Sequence, residues 1–369
     1  MKKILIVTDF FLPHKSGITT YITNLINILK KQNFEVTILT CNYNGKLKEL
    51  ETIDNIRIVR SRSTFSFNRG FYSFDLIKKF KEESKKNDYI NIHFPITEIF
   101  PLIFLTKKPV YLNYHCLPND KSIFLKLIYL YFYFFGIISI LKSRKVIVFT
   151  KDYFYSFFIH KFFKKNIIEI PPFVENSEEN VFNEKKIHID KIKIGFLGRL
   201  GEEKGLKDLI IASEIMLNKK IEHTIDIAGD LNDMRFKKNI KNLFRLRGNN
   251  TCINFIGKLK ENNKRIFYNN IDFLVLPSTN SFEAFGLVQL EAMSYGKLVI
   301  ASNIYGVRIP IKYTGNGLLF EKNNPAEIVK CIIKMREMLK KTKKKKIIES
   351  YNKYFNKKEF EKKFTSLFN

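Results

Sequence analysis

Carboxylates are scarce in this chain. Asp and Glu together number 36 among 369 residues, against 64 Lys and Arg, and the formal charge is +28. Residues 1–170 carry 27 basic and 13 acidic side chains and residues 171–369 carry 37 and 23, so each part is +14 and no single basic domain stands apart. Lysine far exceeds arginine, so the excess reads as compositional habit as much as a binding surface. The charge does peak in Lys340–Lys363, with 11 lysines against three glutamates. Cysteine is equally sparse: Cys41, Cys116, Cys252 and Cys331 form no Cys-x-x-Cys pair and have no His at metal spacing. Neither a disulfide framework nor a zinc site is thereby indicated, and a reducing cytoplasm fits. The opening MKKILIVTDFFLPH lacks a small-residue cleavage site and reads as a first strand, not a signal peptide. Strong internal repeats are also missing.

Apolar strand-like runs alternate with helix-periodic segments from end to end, the signature of parallel sheets covered by helices. ILIV (4–7), the periodic segment ITTYITNLINILKKQ and EVTILT (35–40) make one β-α-β unit, and YINIHF, PVYLNYH and KVIVFT continue it to residue 150. The polar, patternless VENSEENVFNEKKIHIDK reads as a linker. A second α/β unit runs from KIGFLGRL through HTIDIAGD, CINFIGKL, IDFLVLPS and KLVIASN to GNGLLF, which reads as a turn. The expected organisation is a domain over 1–172, a linker over 173–191, a second domain over 192–345, and a C-terminal helix over 346–369 packing back on the first domain. Ligands of doubly wound sheets bind at the carboxyl ends of the strands.

Two segments concentrate chemistry at such ends. SFEAFGLVQLEAMSYGK (281–297) places Glu283 and Glu291 on either side of a Phe-Gly-Leu turn in a stretch otherwise almost free of charge. IDFLVLPS before it reads as a buried strand, and GLVQLEAMSYG as a helix closing on Gly296. Gly286 then opens the helix, where N–H groups and the dipole make an anion site. GFLGRLGEEKGLKDLI (195–210) is the second segment, a strand ending in glycines that delivers Arg199 and Lys204. Gly198, Gly201 and Gly205 allow close backbone approach, and an Arg fork with a Lys point charge suits a phosphate pair. Taken singly, each pair also reads as ordinary surface charge. Together they point to one anion site.

The succession GFLGRLGEEKG, IAGD, INFIGKLKENN, PSTNSFEAFGLVQLEAMSYGKLVIAS and GNGLLF resembles family 4 of the glycosyltransferases, most strongly over 194–320. The resemblance implies an α/β GT-B fold, two Rossmann-like doubly wound domains facing each other across a cleft. It implies a retaining enzyme that moves a sugar from a nucleotide diphosphate sugar, with UDP the expected nucleotide, to a glycan or lipid-linked glycan in cell-surface polysaccharide synthesis. Glu283 would contact the hydroxyls of the transferred sugar, Glu291 the ribose, and the Gly286 and Leu287 amides the phosphates, with Phe285 in the same donor-binding turn. Arg199 and Lys204 match the diphosphate pair, and Lys258 falls where the backbone meets the base. In the first half, Gly17 of PHKSGITTY is poised for phosphate, and His115 of NYHC faces the donor sugar. His93 of NIHFP is a weaker match that reads as structural. Ser16 stands where a second glycine is usual, PPFVE replaces PNGVD, and Tyr305-Gly306 replaces a Gly-Gly pair. Asp-x-Asp is absent. The basic residues are therefore expected to hold the diphosphate, with neither metal nor cofactor.

Other readings are weaker. RIVRSRSTFSFNRGFYSF (57–74) alternates arginines with aromatics, as a nucleic-acid-stacking stripe would, but no recognition motif accompanies it. A nucleotide-sugar epimerase of the same fold is a further alternative. Hydrolysis is disfavoured, because residues eight apart on a helix are roughly 12 Å apart, beyond the ~5 to 9.5 Å of glycosidase carboxylates. The segment IFLKLIYLYFYFFGIISIL (123–141) has 15 uncharged residues between Lys126 and Lys142. That is roughly 22 Å of helix, short of a ~30 Å span. It reads either as a buried helix or, with its lysine flanks, as a surface for peripheral docking on an anionic membrane leaflet.

Overall fold

The alternating apolar runs become two parallel sheets in a computed structural model that describes residues 1–67, 70–117, 123–163, 166–175, 191–230 and 252–368. One unit comprises Met1–Pro172 and the returning Lys358–Asn369, the other Phe173–Lys357. The expected linker falls mostly on 176–190, outside the described residues.

The first unit contains β1 (Lys2–Thr8), β2 (Phe34–Asn42), β3 (Leu50–Ile53), β4 (Ile56–Arg62), β5 (Phe65–Phe67), β6 (Gly70–Tyr72), β7 (Tyr89–Phe94), β8 (Val110–Tyr114), β9 (Lys145–Val148) and β10 (Ile167–Glu169). Its main sheet has the order β10-β9-β8-β7-β1-β2-β4-β3. Only β3 runs antiparallel, at the edge against β4, and β5–β6 form a separate hairpin. Residues Ile4 to Val7 of β1 are fully buried, as a strand covered on both faces requires. The helices include α1 (Gly17–Lys31), α2 (Phe74–Lys86), α3 (Ile99–Leu105) and α4 (Ile123–Lys142). The Ser16 hydroxyl caps α1 by accepting from Thr19 N–H at 3.2 Å, and its φ of −151° is extended backbone that demands no glycine. Its departure from the family pattern is thus a helix cap.

In the second unit β11 (Ile192–Leu197), β12 (His223–Ala228), β13 (Ile253–Gly257), β14 (Phe273–Leu276), β15 (Leu298–Ser302) and β16 (Gly317–Phe320) pair in the order β13-β12-β11-β14-β15-β16, all parallel. From β11 the chain builds outward through β12 and β13 on one side and then crosses to β14 on the other, so the switch point lies between the carboxyl ends of β11 and β14. The GNGLLF segment read as a turn is the edge strand β16, entered through Gly315 at φ 70°. A Cβ on Gly317 would lie 1.9 Å from the Val299 carbonyl oxygen, so glycine here admits the strand to the sheet.

The segment expected as one terminal helix forms two, Lys344–Tyr354 in the second unit and Lys357–Thr365, which begins at the boundary and continues into the first. Phe360, Phe364 and Phe368 are buried. Phe368 packs on Phe34, Tyr89 and Tyr111, and the Tyr111 hydroxyl donates to the Leu367 carbonyl at 2.7 Å. The 57–74 stripe is not a stacking surface along its length. Arg60 is 1% exposed and donates to Glu51 at 2.6 Å and to the Leu12 carbonyl at 2.9 Å, while Arg57 forks onto Glu83. Arg69 lies outside the described residues.

Candidate active site

The site in the second unit is assembled by two loops at the carboxyl ends of the adjacent strands β11 and β14. Beyond β11 the chain passes Gly198 and Arg199 and makes a single 3-10 turn, Glu202–Lys204, ending at Gly205 with φ 65°. A Cβ there would come 1.8 Å from the Pro277 carbonyl oxygen, so only glycine lets this loop press against the exit of β14. Thr279 N–H donates to the Glu203 carbonyl at 2.9 Å and holds the two loops together. This contact sets the Lys204 ammonium directly on Glu283, with side-chain exposures of 17% and 13%. Arg199, more open, pairs with Glu203 at 2.8 Å.

Beyond Glu283 the chain is anchored by burial of Ala284, Phe285 and Gly286. Gly286, at φ 80°, opens the Leu287–Ser294 helix, and a Cβ on it would meet Leu276 at 2.5 Å. Gln289 Nε2 ties the turn down, donating to the Phe285 carbonyl at 3.0 Å and the Val307 carbonyl at 2.9 Å. The Phe285 ring lies in the core near Phe355, leaving its backbone as the part a ligand would meet. Leu287 is the first helical residue, so the amides of this turn point out of the helix start. Glu291 lies one helical turn after Leu287. Its carboxylate accepts from Lys264 and from the Tyr268 hydroxyl, both at 3.0 Å. Burial alone would lower the Lys264 ammonium, but Glu291 and Glu261 raise it above its ordinary value. Lys258 follows Gly257 at the end of β13, largely exposed and 3.5 Å from Asp230.

The residues of the first unit singled out in the sequence are Gly17, at the start of α1, and His115, just past β8. Tyr21, one helical turn after Gly17, places its ring edge-on to His115 at 5.4 Å. His115 is buried. Its Nε2 meets Nδ1 of His93 at 2.8 Å and the rings stack at 5.0 Å, while Nδ1 of His115 and Nε2 of His93 have no partner among the described residues. One hydrogen sits between the rings, so the two tautomers are coupled. If His93 donates, His115 carries its proton on Nδ1; if His93 accepts, Nδ1 of His115 is an acceptor. Burial pushes the His115 imidazole down to about 3 and His93 well below its usual range.

His160 is likewise driven down by burial to about 4, and His223 is lowered for the same first reason. These depressed values have a definite sign. The unfolded chain takes up protons below about pH 6.5 that the folded imidazoles refuse, so stability is full above that pH and falls as pH drops toward the folded values. Melting temperature should fall by on the order of 5 °C between about pH 7 and about pH 5. A flat profile over that window would mean that these rings protonate freely.

The structure thus joins Arg199, Lys204, Glu283, Phe285, Gly286 and Leu287 around two touching loops, with Glu291 on the same helix. Two partners carry no weight in the sequence reading, Lys264 and Tyr268, which hold Glu291, while His93, a weaker match read there as structural, bonds to His115. The first two were findable as an i, i+4 pair on one helix face. Among the described residues no three His, Cys, Asp or Glu side chains are grouped to hold a metal ion.

Residues 177–354 match the family model for glycosyl transferases group 1, and residues 15–177 the model for glycosyltransferase family 4. An uncharacterized glycosyltransferase of Methanocaldococcus jannaschii is 26% identical over 98% of this chain and 93% of its own length. The capsular polysaccharide biosynthesis glycosyltransferase CapM of Staphylococcus aureus is 27% identical over 43% of this chain and 40% of its own. Sucrose-phosphate synthase from Thermosynechococcus elongatus superposes with a TM-score of 0.80 at 17% identity, covering 100% of this chain and 98% of that one. Anabaena HepE, solved in complex with UDP and glucose, gives 0.74 at 15% identity, covering 100% and 99%. With two parallel α/β units and both halves matched to the paired family models, the chain has the GT-B fold and belongs to the group 1, family 4 glycosyltransferases.

Proposed function

We propose that the enzyme is a retaining, metal-independent hexosyltransferase that takes a sugar from a UDP-sugar and delivers it to a glycan or lipid-linked glycan in cell-surface polysaccharide synthesis. The observation that carries this reading is the placement of Lys204 on Glu283 beside the Gly286 helix start, with Arg199 on the same loop. A diphosphate entering there draws Lys204 and Arg199 to its oxygens and sets its leaving charge against the helix start. Glu283 is released to the hydroxyls of the sugar. Glu291, held by Lys264 and Tyr268, faces the ribose, and Lys258 lies by the base. In the first unit, Gly17 and His115 are assigned to the donor by the family resemblance alone. The departing phosphate oxygen takes the acceptor proton, so no separate protein base is needed. The setting is the cytoplasm, at the inner face of the membrane, where four cysteines that form no disulfide stay reduced.

Similar proteins support the donor and the product class: UDP accompanies glucose in the Anabaena complex, and the Staphylococcus relative is a capsular polysaccharide biosynthesis glycosyltransferase. Incubating the chain with UDP-sugars and lipid-linked glycan acceptors, in the presence of a chelator, should give a glycosidic product with the donor's anomeric configuration. UDP at about 100 times its Kd should stabilise the fold by about 2.7 kcal/mol, chelator or not. An inverted product or a strict magnesium requirement would overturn the reading, and an epimer formed without acceptor would move it to an epimerase.

A further inference from the structure

The helix α4 is apolar all round, and the structure divides its residues between two environments. Phe132, Gly136, Ser139 and Ile140 turn inward, with Gly136 against the Phe94 ring. Leu127, Leu130, Phe134 and Leu141 form an outward stripe at helical spacing and are 57% to 63% exposed. In a helix whose outer face meets only water these positions are polar. The stripe does not end with α4. On one side α3 packs against it through Phe100 and Phe135, at 4.4 Å, and adds the exposed rings of Phe100 and Phe104. On the other, Tyr133 stacks near His160, at 6.1 Å, in the turn Phe158–Phe162, whose two terminal phenylalanines are 74% and 70% exposed. An apolar surface built from three elements marks an interaction site rather than scattered exposure.

Its charge identifies the partner. Segments 99–108, 123–145 and 153–165 contain nine lysines and arginines and no carboxylate. Lys107, Lys108, Lys126, Lys142 and Lys161 are exposed around the rings, and Lys142 lies over the Phe104 ring at 4.5 Å. The flanking carboxylates are withdrawn: Glu98 is buried and Asp152 half-buried, while Asp120 lies outside the described residues. A second copy of the chain meeting this face across a two-fold axis would set lysines against lysines. An anionic bilayer offers what the face lacks, apolar depth for the rings and phosphates for the cations. No helix among the described residues is long and apolar enough to span a membrane.

We propose that the α3–α4 face, with the Phe158–Phe162 turn, is a docking surface that lies in the headgroup layer of an anionic membrane. The docking is independent of the donor site. The full chain should co-sediment with vesicles of equal parts phosphatidylglycerol and phosphatidylcholine, not with phosphatidylcholine alone, and high salt should weaken the binding. Leu130→Gln with Phe134→Gln should cut binding at least about tenfold, equivalent to about 1.4 kcal/mol, and Lys126→Glu with Lys142→Glu should do the same. Arg199→Ala with Lys204→Ala should bind vesicles as the parent does. Melting temperatures should hold in the surface variants because the side chains are exposed; were the α4 pair to unfold, Phe158→Ser with Phe162→Ser decides. Binding that ignores vesicle charge or survives these substitutions overturns the proposal. So does a dimer in sedimentation velocity that Leu130→Gln with Phe134→Gln dissociates while vesicles remain unbound.

Discussion

Glu283→Gln should lower turnover at least about 100-fold while UDP affinity holds or rises. The amide is nearly isosteric with the carboxylate and keeps the turn, whose neighbours Ala284, Phe285 and Gly286 are buried. In the proposed mechanism it removes a negative charge beside the sugar as positive character develops at the anomeric carbon, an interaction strongest in the transition state. It also removes the charge that holds Lys204, which becomes available to phosphate. Initial rates and titration calorimetry with UDP separate the two effects. Glu291→Ala makes the contrast: it should weaken UDP about tenfold with a smaller effect on turnover at saturation, because it strips the proposed ribose contact. It also leaves the buried Tyr268 hydroxyl without its acceptor, at a cost of about 1–3 kcal/mol in stability. Equal losses of UDP affinity in both variants would sink this division of labour.

The second large effect belongs to the cations. Arg199→Ala with Lys204→Ala should weaken UDP at least about 100-fold, since each charged contact to phosphate is worth about 1.5–3 kcal/mol. The thermal shift produced by UDP should vanish, whereas the unliganded melting temperature should move little for Arg199, whose side chain is 52% exposed. Arg199→Lys should recover only part of the affinity, because an ammonium cannot present the guanidinium fork. Retention of the full UDP shift by the double variant would remove the diphosphate from this loop.

Much of this architecture is legible in residues. ILIV and KLVIASN read as buried parallel strands because a strand covered on both faces must be apolar at every position, and β1 and β15 are buried in that way. Glu283 and Glu291 stand out because the segment around them is otherwise nearly uncharged. The misses have physical reasons. GNGLLF carries the glycines of a turn, yet Gly317 is there so that a strand can approach Val299, and composition does not distinguish the two uses. His93 gains its importance from lying on β7 next to β8, where His93 registers with Asn113 and the chain beyond Tyr114 brings His115 over it; that pairing is a property of register. In α4 every face is apolar, so periodicity gives no direction and only packing selects the stripe that faces outward.

The return of the last residues to the first unit fixes an order of events during synthesis. Phe364 and Phe368 are part of a core whose other members, among them Phe34, Tyr89 and Tyr111, lie far upstream. Between Pro172 and Lys358 stand the residues of the second unit, 173–357. At about 5–20 residues per second a ribosome needs roughly 10 to 40 s to make them. Throughout that interval the amino-terminal sheet waits with one wall of its core open, and the second unit has time to fold first. A nascent chain stalled or truncated near residue 357 would therefore be damaged at its beginning, not at its end.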